Sequence, residues 1–560
     1  MKKICKRLLA VALTLLMLLP LGAQFIQAAT IVDLPIIYVL GKYNPVYNQD
    51  ETEVLYPLNP PIAETVKDNA RSLYASYQLA HQTEQNSLST QAAKDAAWKK
   101  FADDIYNVVA PRYEAVMMDG NGNPQNGTHT KPVALPQTKT RSFWVHDYQF
   151  TYDSRLDPYE NARLLNTYIN NVLAVTGKKQ VQLIGRCLGA TVVSTYLTEY
   201  FKLNENGDPI VKTCIFYAPA FNGVYMMDGF FTGELDLNYS KIRTFLQKGY
   251  SDELGNFDTL RSVADALDKF SLWGWGVDSA NDALQKSAKY LFPRLTLAIF
   301  GTWPGHWAMI SKDAFQKAKA TTLENTPENK AKYAGLISKV TRYQNNVMAK
   351  FPQTLENCRQ LGMRVAIFSK YNIPMIPLSP ASDMQADGTV QLTTMSLGAT
   401  SDVIDGTMSN SYINKLKDEN MNTFVNESRN NGTKIYLDSN TNAAAIKRSN
   451  YLSKDNMVDA STCQYPDYTW FIKGCPHASY PSQINQLFLT IFRSPTQYTV
   501  TTDPNFPQFM VFDKDNDQVS AVTGPDAGKK EEQTASSSFF KKIADWIIDF
   551  VNKIMKFFGM

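Results

Sequence analysis

The sequence predicts an α/β fold: a mostly parallel β-sheet with helices on both faces. Two observations support this prediction: short apolar runs recur along the chain, and helical patterns separate several of them. Strands of a parallel sheet are covered on both faces and therefore read as nearly continuous apolar runs. The predicted strands lie within the stretches 32–48, 141–150, 180–185, 210–223 and 362–374.

One predicted helix between these strands is marked at both ends. Asp157 is a favoured N-cap residue, Pro158 suits a first helical turn, and Gly177 suits a helix end. Between them, apolar residues recur at steps of three and four. The next strand, 180–185, leads through a tight glycine turn into another helix. Because parallel sheets bind ligands at the carboxyl ends of their strands, this turn is a candidate site.

The 560 residues are enough for one large domain with insertions. We expect three long insertions in this domain, of which the second is mostly helical; they cover 50–131, 221–359 and 401–462. We expect the chain to be divided into four parts. These are a signal peptide (1–29), the α/β domain (30–515), a polar disordered linker (516–538) and an amphipathic helix (539–560).

The N-terminal segment predicts export from the cytoplasm. Lys2, Lys3, Lys6 and Arg7 precede an apolar core at 8–21, and small residues follow it. This core is too short for a comfortable bilayer span, which is typical of a secretory signal peptide. We therefore expect a secreted or extracytoplasmic protein, with an uncleaved anchor as the alternative.

The C-terminal segment 539–560 has one apolar helical face, whereas lysines and aspartates occupy the other. Such a helix behind a polar linker predicts an anchor that lies on a membrane surface. Docking onto the globular domain and self-association are the two alternatives. Its apolar positions are Phe540, Ile543, Trp546, Ile547, Phe550, Val551, Ile554, Phe557 and Phe558.

Charge and cysteine content exclude several classes of protein. The 56 basic and 53 acidic residues give a net charge of +3, which is no electrostatic footprint for nucleic acid. Behind the predicted signal peptide the chain keeps an odd number of cysteines, without zinc-site spacing, so we expect no structural metal. We also expect no cofactor. These cysteines are Cys187, Cys214, Cys358, Cys463 and Cys475. Cys463 and Cys475 are close enough in sequence to bridge if the geometry allows it.

The glycine turn in "VQLIGRCLGAT" has the pattern of a nucleophile elbow, with Cys187 in the central position. Such a strained strand-to-helix turn needs small neighbours, which Gly185 and Gly189 provide. The helix N-terminus lowers the pKa of a thiol and stabilises an anion. We expect the backbone N–H groups of Leu188 and Lys42 to form an oxyanion hole.

A nucleophile of this kind needs an acid and a base downstream. Two aspartates follow the predicted strand at 362–374, and we prefer Asp387, which begins "DGTV", over Asp383. Of the five histidines, His477 in "GCPHASYP" is the preferred base and His306 in "GTWPGHWAM" is the second choice. The other three lie upstream of the nucleophile and are His81, His129 and His146.

These motifs resemble those of the α/β hydrolases, and more narrowly those of the lecithin–cholesterol acyltransferase and lysosomal phospholipase group. The blocks that carry the resemblance are "PIIYVLGKYNP", "VQLIGRCLGAT", "FYAPAFNG", "GTWPGHWAM", "ADGTVQLTTMSLGA" and "GCPHASYP", spread over 32–495. The resemblance implies an α/β-hydrolase fold with a helical cap and acyl transfer from a lipid ester through a covalent acyl-enzyme. By the same resemblance, Cys187 matches the nucleophile, Asp387 the acid and His477 the base.

The chain departs from that group at the nucleophile. Cys187 replaces the usual serine, Arg186 stands where histidine is common, and Leu40-Gly41 replaces His-Gly. A cysteine elbow is similar to that of polyhydroxyalkanoate synthases, which act on acyl thioesters but are intracellular. We therefore expect a lipase-like acyl hydrolase or acyltransferase for lipid-like esters or thioesters. The alternative is an inactive binding or surface protein of this fold.

Overall fold

A computed structural model of the chain describes residues 34–41, 44–137, 148–248 and 272–524. The described residues form thirteen strands: β1 Ile36–Val39, β2 Val46–Tyr47, β3 Val54–Tyr56, β4 His129–Thr130, β5 Tyr148–Phe150, β6 Val181–Arg186, β7 Val211–Tyr217, β8 Arg364–Tyr371, β9 Thr400–Ser401, β10 Val458–Asp459, β11 Thr469–Lys473, β12 Phe509–Asp513 and β13 Gln518–Ala521.

The α-helices of the described residues are α1 Ile62–Asp68, α2 Ala70–Gln85, α3 Gln91–Val109, α4 Pro158–Thr176, α5 Gly189–Glu199, α6 Tyr225–Thr232, α7 Tyr239–Lys248, α8 Leu272–Thr296, α9 Pro304–Trp307, α10 Phe315–Thr322, α11 Pro327–Lys332, α12 Ala334–Tyr343, α13 Phe351–Gln360, α14 Leu392–Met395, α15 Asn410–Asp418, α16 Met421–Asn430 and α17 Ser482–Arg493. Short 3-10 or π segments are Ala110–Val116, Leu297–Gly301, Gln344–Met348, Arg448–Tyr451, Ala460–Thr462 and Pro466–Tyr468.

Eight strands form one sheet in the order β13-β12-β11-β8-β7-β6-β1-β5. Every neighbouring pair is parallel except β12 and β13, which are antiparallel. The prediction of a mostly parallel sheet in an α/β fold is therefore confirmed. The remaining strands form two small sheets, one of β2, β3 and β4 and one of β9 and β10.

Both faces of the central sheet are buried. Along β1, Ile36 and Tyr38 enter one hydrophobic core, whereas Ile37 and Val39 enter a second one. β6, β7 and β8 divide their side chains between the same two cores, as successive strand residues point to opposite faces. Helix α17 packs into the first core and α4 into the second. This double coverage explains why the strands read as continuous apolar runs.

Helix α4 begins and ends where its capping residues predict. The Asp157 carboxylate accepts a hydrogen bond of 3.0 Å from the backbone N–H of Tyr159, which would otherwise lack a helical partner. Pro158 is the first helical residue, and Gly177 ends the helix in the left-handed conformation with φ 67°.

The direction of the chain reverses across the sheet beside β1. From β1 the chain crosses to β5 on one side, and it then returns to β6 on the other side and continues through β7, β8, β11 and β12. The connections that follow β1 and β6 therefore lead toward opposite edges of the sheet. In open parallel sheets a crevice opens at such a point, outside the carboxyl ends of the strands. The turn with Cys187 follows β6 and lies at this point.

Two strands correct the sequence-based reading. The predicted strands do not include Thr469–Lys473, which is β11, a fully buried strand between β8 and β12. We expected the disordered linker to begin at residue 516, but Gln518–Ala521 is β13, the edge of the sheet. Only Val519 of β13 is buried, and so its composition resembles that of a linker.

The described residues between β7 and β8 are predominantly helical, from α6 to α13. The insertion at 401–462 carries α15 and α16, and Met421 of α16 packs into a third small core that also contains Tyr371 of β8 and Phe471 of β11. The predicted signal peptide, most of the predicted linker and the predicted C-terminal amphipathic helix lie outside the described residues. Within the described ranges, no helix has both the length and the apolar character needed to cross a membrane.

Candidate active site

Cys187 occupies a strained turn between β6 and α5. Its φ angle is 48°, a left-handed conformation that side chains other than glycine rarely adopt and that is enriched at functional sites. The Cys187 N–H donates to the carbonyl of Tyr217 on β7 at 3.3 Å, and its carbonyl accepts from the Ala190 N–H at 3.0 Å. The turn is thus fixed to the sheet and to the helix.

Close approach of the backbone explains two glycines at this turn. A Cβ atom on Gly189 would collide with the carbonyl oxygen of Val39 at the end of β1. A Cβ atom on Gly41 would collide with the carbonyl of Arg186 and lie 2.6 Å from the Cβ of Cys187. The chain that leaves β1 therefore runs directly against the turn. The flanking Gly185 is also tight, since a Cβ there would lie 3.2 Å from the Val193 side chain.

The structure brings Cys187, His477 and Asp387 together. His477 follows β11, and its Nδ1 lies 2.7 Å from Oδ2 of Asp387. The other carboxylate oxygen, Oδ1, accepts the backbone N–H groups of Thr389 at 3.0 Å and Val390 at 2.9 Å. On its other side the imidazole forms a hydrogen bond with the Cys187 thiol. The three groups make a continuous chain from a fully buried carboxylate to a half-buried thiol.

The electrostatics of these three groups favour a thiolate on Cys187 and an imidazolium on His477. Burial raises the pKa of the Cys187 thiol, but the charge and hydrogen bond of His477 and the N–H of Leu188 outweigh burial, so the pKa lies below its ordinary value. Burial lowers the pKa of His477, but Asp387 and Cys187 outweigh that effect and raise it to about 9. Burial likewise raises the pKa of Asp387, yet His477 and Lys370 bring it below its ordinary value.

The second-choice acid and base lie elsewhere. The Asp383 side chain is 49% exposed, and its carboxylate is 4.0 Å from the ammonium of Lys241. His306 is buried in α9, where its ring stacks on Phe300 at 5.4 Å and meets the edge of Trp303 at 4.8 Å. Burial lowers the pKa of His306 to about 3, so this histidine is neutral at pH 7. It packs among aromatic rings.

Of the two predicted oxyanion donors, the structure describes Leu188 but not Lys42. The Leu188 N–H forms a hydrogen bond with the Cys187 sulfur, which lowers the pKa of the thiol. Lys42 lies outside the described residues, as does His146. The other upstream histidines are accounted for by local packing: His81 lies beside Tyr77, and His129 bonds to Glu51 in the small sheet.

The cysteines of the described chain are all free thiols. Cys463 and Cys475 therefore do not form the bridge that their sequence spacing allows; the thiol of Cys463 instead donates to the carbonyl of Ala460 at 3.0 Å. Burial raises the pKa of the thiols of Cys214, Cys358, Cys463 and Cys475. Among the described cysteines, Cys187 alone has a lowered pKa.

Sequence reasoning did not assign Lys370 and Arg186 to the site, although both bond to the loop that carries His477. The signal was present for Lys370, because it is a charged residue within the apolar run of β8, all of which is buried. No group of three or more histidine, cysteine or acidic residues in the described ranges is arranged to hold a metal ion.

Comparison of the sequence with protein-family models and with curated proteins gives no match. The fold and the site are therefore characterised by their own geometry. The mostly parallel eight-stranded sheet with helices on both faces is compatible with an α/β-hydrolase fold.

Proposed function

We propose that this protein is an α/β-hydrolase-type acyl hydrolase or acyltransferase that uses Cys187 as its nucleophile. The observation that carries the proposal is the hydrogen-bonded chain from Asp387 through His477 to Cys187, with the thiol on a strained turn at the carboxyl edge of a parallel sheet. A nucleophile, a base in contact with it and a group that orients the base are the parts that covalent acyl transfer needs.

In the first half-reaction, the Cys187 thiolate attacks the carbonyl carbon of an ester or thioester. A carbon–sulfur bond forms, and the carbonyl electron pair moves to oxygen, where the Leu188 N–H and, as we predict, the Lys42 N–H hold the oxyanion. When the intermediate collapses, the bond to the leaving group breaks, and the leaving group takes a proton from the His477 imidazolium. The product is an acyl-cysteine thioester.

In the second half-reaction, His477 removes a proton from water or from an acceptor alcohol or amine, which attacks the thioester carbonyl. The carbon–sulfur bond breaks, and the thiolate returns. Asp387 holds the Nδ1–H tautomer throughout, so that Nε2 faces the sulfur. A thioester is more reactive toward amines and alcohols than an ester, and this favours transfer as well as hydrolysis.

Lipid-like acyl groups are the substrate class that we propose. The support is the motif resemblance, together with the predominantly helical segment between β7 and β8, which suits the cap that such enzymes carry. The amphipathic stripe at 539–560 would bring the enzyme to a membrane surface. A secreted or extracytoplasmic location follows from the signal-peptide pattern at 1–29 and belongs to the same proposal.

A substrate panel separates this function from an inactive binding protein of the same fold. Wild type, Cys187→Ser and Cys187→Ala are assayed against acyl esters and acyl thioesters of increasing chain length. Turnover in wild type that is lost in Cys187→Ala supports thiol catalysis. Turnover that rises in Cys187→Ser indicates a serine hydrolase that has lost its nucleophile, and equal background rates in all three favour the inactive protein.

The membrane proposal is tested separately with liposomes. Full-length protein and a chain that ends at Ser538 are sedimented with vesicles of neutral and anionic lipid. We expect only the full-length protein to pellet with the vesicles. Equal pelleting of the two chains would contradict the anchor.

A further inference from the structure

The loop that carries the proposed base is tied to a buried lysine of the central sheet. The ammonium of Lys370, on β8, donates to the carbonyls of Pro476 at 2.8 Å, His477 at 3.0 Å and Ser479 at 2.9 Å. An ammonium has three hydrogens, so these carbonyls satisfy all of them. Lys370 is fully buried, and a charge is stable there only when it is bonded in this way.

A second cation holds the same loop from the strand on the other side of β7. One guanidinium nitrogen of Arg186, at the end of β6, donates to the carbonyls of His477 at 3.1 Å and Ala478 at 2.7 Å. Tyr217, at the end of β7 between these strands, donates its hydroxyl to the carbonyl of Ser479 at 2.8 Å. The ends of three adjacent strands thus fix one short loop.

These contacts leave His477 little freedom. Its carbonyl is held by Lys370 and Arg186, its backbone N–H donates to the carbonyl of Asp387 at 2.8 Å, and its ring Nδ1 faces the Asp387 carboxylate. A small displacement of the loop would move the ring away from the Cys187 sulfur. Misplacement by about 1 Å is enough to cost about 10²-fold in rate at an active site.

We propose that Lys370 is a positioning residue, which together with Arg186 holds the loop of His477 so that the imidazole stays in contact with Cys187. This role deepens the proposed function and rests on it for its catalytic meaning. Its physical content is a contact between imidazole and thiol, which is measurable without any substrate.

The test is the pH dependence of Cys187 alkylation by iodoacetamide, followed by mass spectrometry of the Cys187 peptide. In wild type we expect a labelling midpoint below about 8.5, the ordinary pKa of a thiol. In Lys370→Met, where a neutral side chain of similar length cannot bond the carbonyls, we expect the midpoint to rise. Labelling at pH 6 should fall about 10-fold, in keeping with a thiolate that has lost its imidazolium partner.

A double-mutant cycle separates positioning from a direct charge effect. If Lys370 acts through the imidazole, adding Lys370→Met to His477→Ala changes labelling by less than about twofold, because the two changes are not additive. If the full shift persists in the His477→Ala background, Lys370 acts on the thiol by its own charge, and the proposal is overturned. An unchanged midpoint in folded Lys370→Met overturns it as well.

Two further variants keep the test decisive. Arg186→Met removes the other tie to the His477 carbonyl at a half-buried position, and it carries the test if Lys370→Met does not fold. Arg448→Met is the matched control, since Arg448 is a buried cation paired with Glu419 at 2.7 Å and Asp459 at 2.9 Å. It should lower stability without moving the labelling midpoint. Ester turnover by the wild-type protein is measured separately. If Lys370→Met shifts the labelling midpoint but the wild-type protein cleaves no ester, the positioning role stands and only the proposed reaction is refuted.

Discussion

Two regions of the molecule each enclose a histidine, His477 with 13% of its side chain exposed and His306 fully buried, and the two histidines have opposite properties. At the carboxyl edge of the sheet, His477 has a pKa raised to about 9. In the helical segment between β7 and β8, His306 has a pKa lowered to about 3. Burial lowers the pKa in both regions. The difference comes from the partners, because the Asp387 carboxylate and the Cys187 thiol face His477, whereas aromatic rings pack on His306.

The comparison shows what makes a buried titratable group suitable for catalysis. A histidine among aromatic rings stays neutral and contributes packing, whereas one between a carboxylate and a thiol holds a proton that it can pass on. The same contrast applies to the thiols, because Cys187 is paired and half-buried while the other described cysteines are buried with raised pKa values. The predictions below test whether this difference is the functional one.

The largest expected effect comes from replacing each histidine in turn. His477→Ala should reduce kcat/KM for a thioester on the order of 10⁶-fold, as for the loss of a base in a catalytic triad. His306→Ala should leave kcat/KM per folded molecule within about threefold, since its ring packs against Phe300 and Trp303 in the helical segment. Steady-state kinetics on both variants decide this. Similar losses in the two would show that the comparison does not reflect function.

The two candidate acids give the next largest contrast. In Asp387→Asn, the amide N–H₂ would face Nδ1 of His477 and favour the wrong tautomer, so we expect a loss of about 10⁴-fold in kcat. Asp383→Asn changes an exposed carboxylate and should alter kcat by less than about twofold. Measuring both variants in one assay provides the control. A strong loss in Asp383→Asn with little change in Asp387→Asn would reverse our assignment of the acid.

The pH profile should separate the two members of the ion pair. As pH rises through the lowered pKa of Cys187, the thiolate forms, and both alkylation and turnover increase. Above about 9, His477 loses its proton, so turnover of an alkyl ester with a poor leaving group falls about tenfold per pH unit while alkylation stays high. A p-nitrophenyl ester needs no proton on its leaving group and should show no falling limb. Parallel profiles for both esters would contradict an imidazolium acid.

The smallest effect is on stability. His306→Ala would open a cavity among Phe300, Trp303 and their neighbours and should lower the free energy of unfolding by about 2–4 kcal/mol. Urea unfolding measures this change. His306→Phe, which refills the volume, is the matched control and should recover part of the loss. A change below about 0.5 kcal/mol in His306→Ala would argue against a packing role.

Much of the fold follows from the sequence because the strands are covered on both faces. Buried parallel strands such as β6 and β8 read as apolar runs, and α4 carries its cap residues at both ends. β11 and β13 were missed for different reasons. β11 stands directly before the loop that carries His477, without a turn signal between them until Gly474, and β13 exposes most of its residues at the edge of the sheet.

The candidate site is predictable from sequence for side chains that have reactive or titratable chemistry. It is less predictable for side chains that only hold the loops in place. Cys187, His477 and Asp387 can be selected from motif, spacing and order, and the structure places them in contact. The sequence does not single out Lys370 and Arg186, because both bond to backbone carbonyls. Any residue type can supply a backbone carbonyl, so the partner residues show no recognisable sequence pattern. A lysine within a buried strand is the cue that would have drawn attention to this region.

The most direct test of the central claim is whether an acyl group becomes bonded to Cys187. Wild-type protein is mixed with a short-chain p-nitrophenyl ester, quenched in acid within the first turnover and analysed by peptide mass spectrometry. We predict an acyl adduct on the Cys187 peptide that neutral hydroxylamine removes, as expected of a thioester. Turnover without that adduct, or with the acyl group on another residue, would contradict catalysis by Cys187.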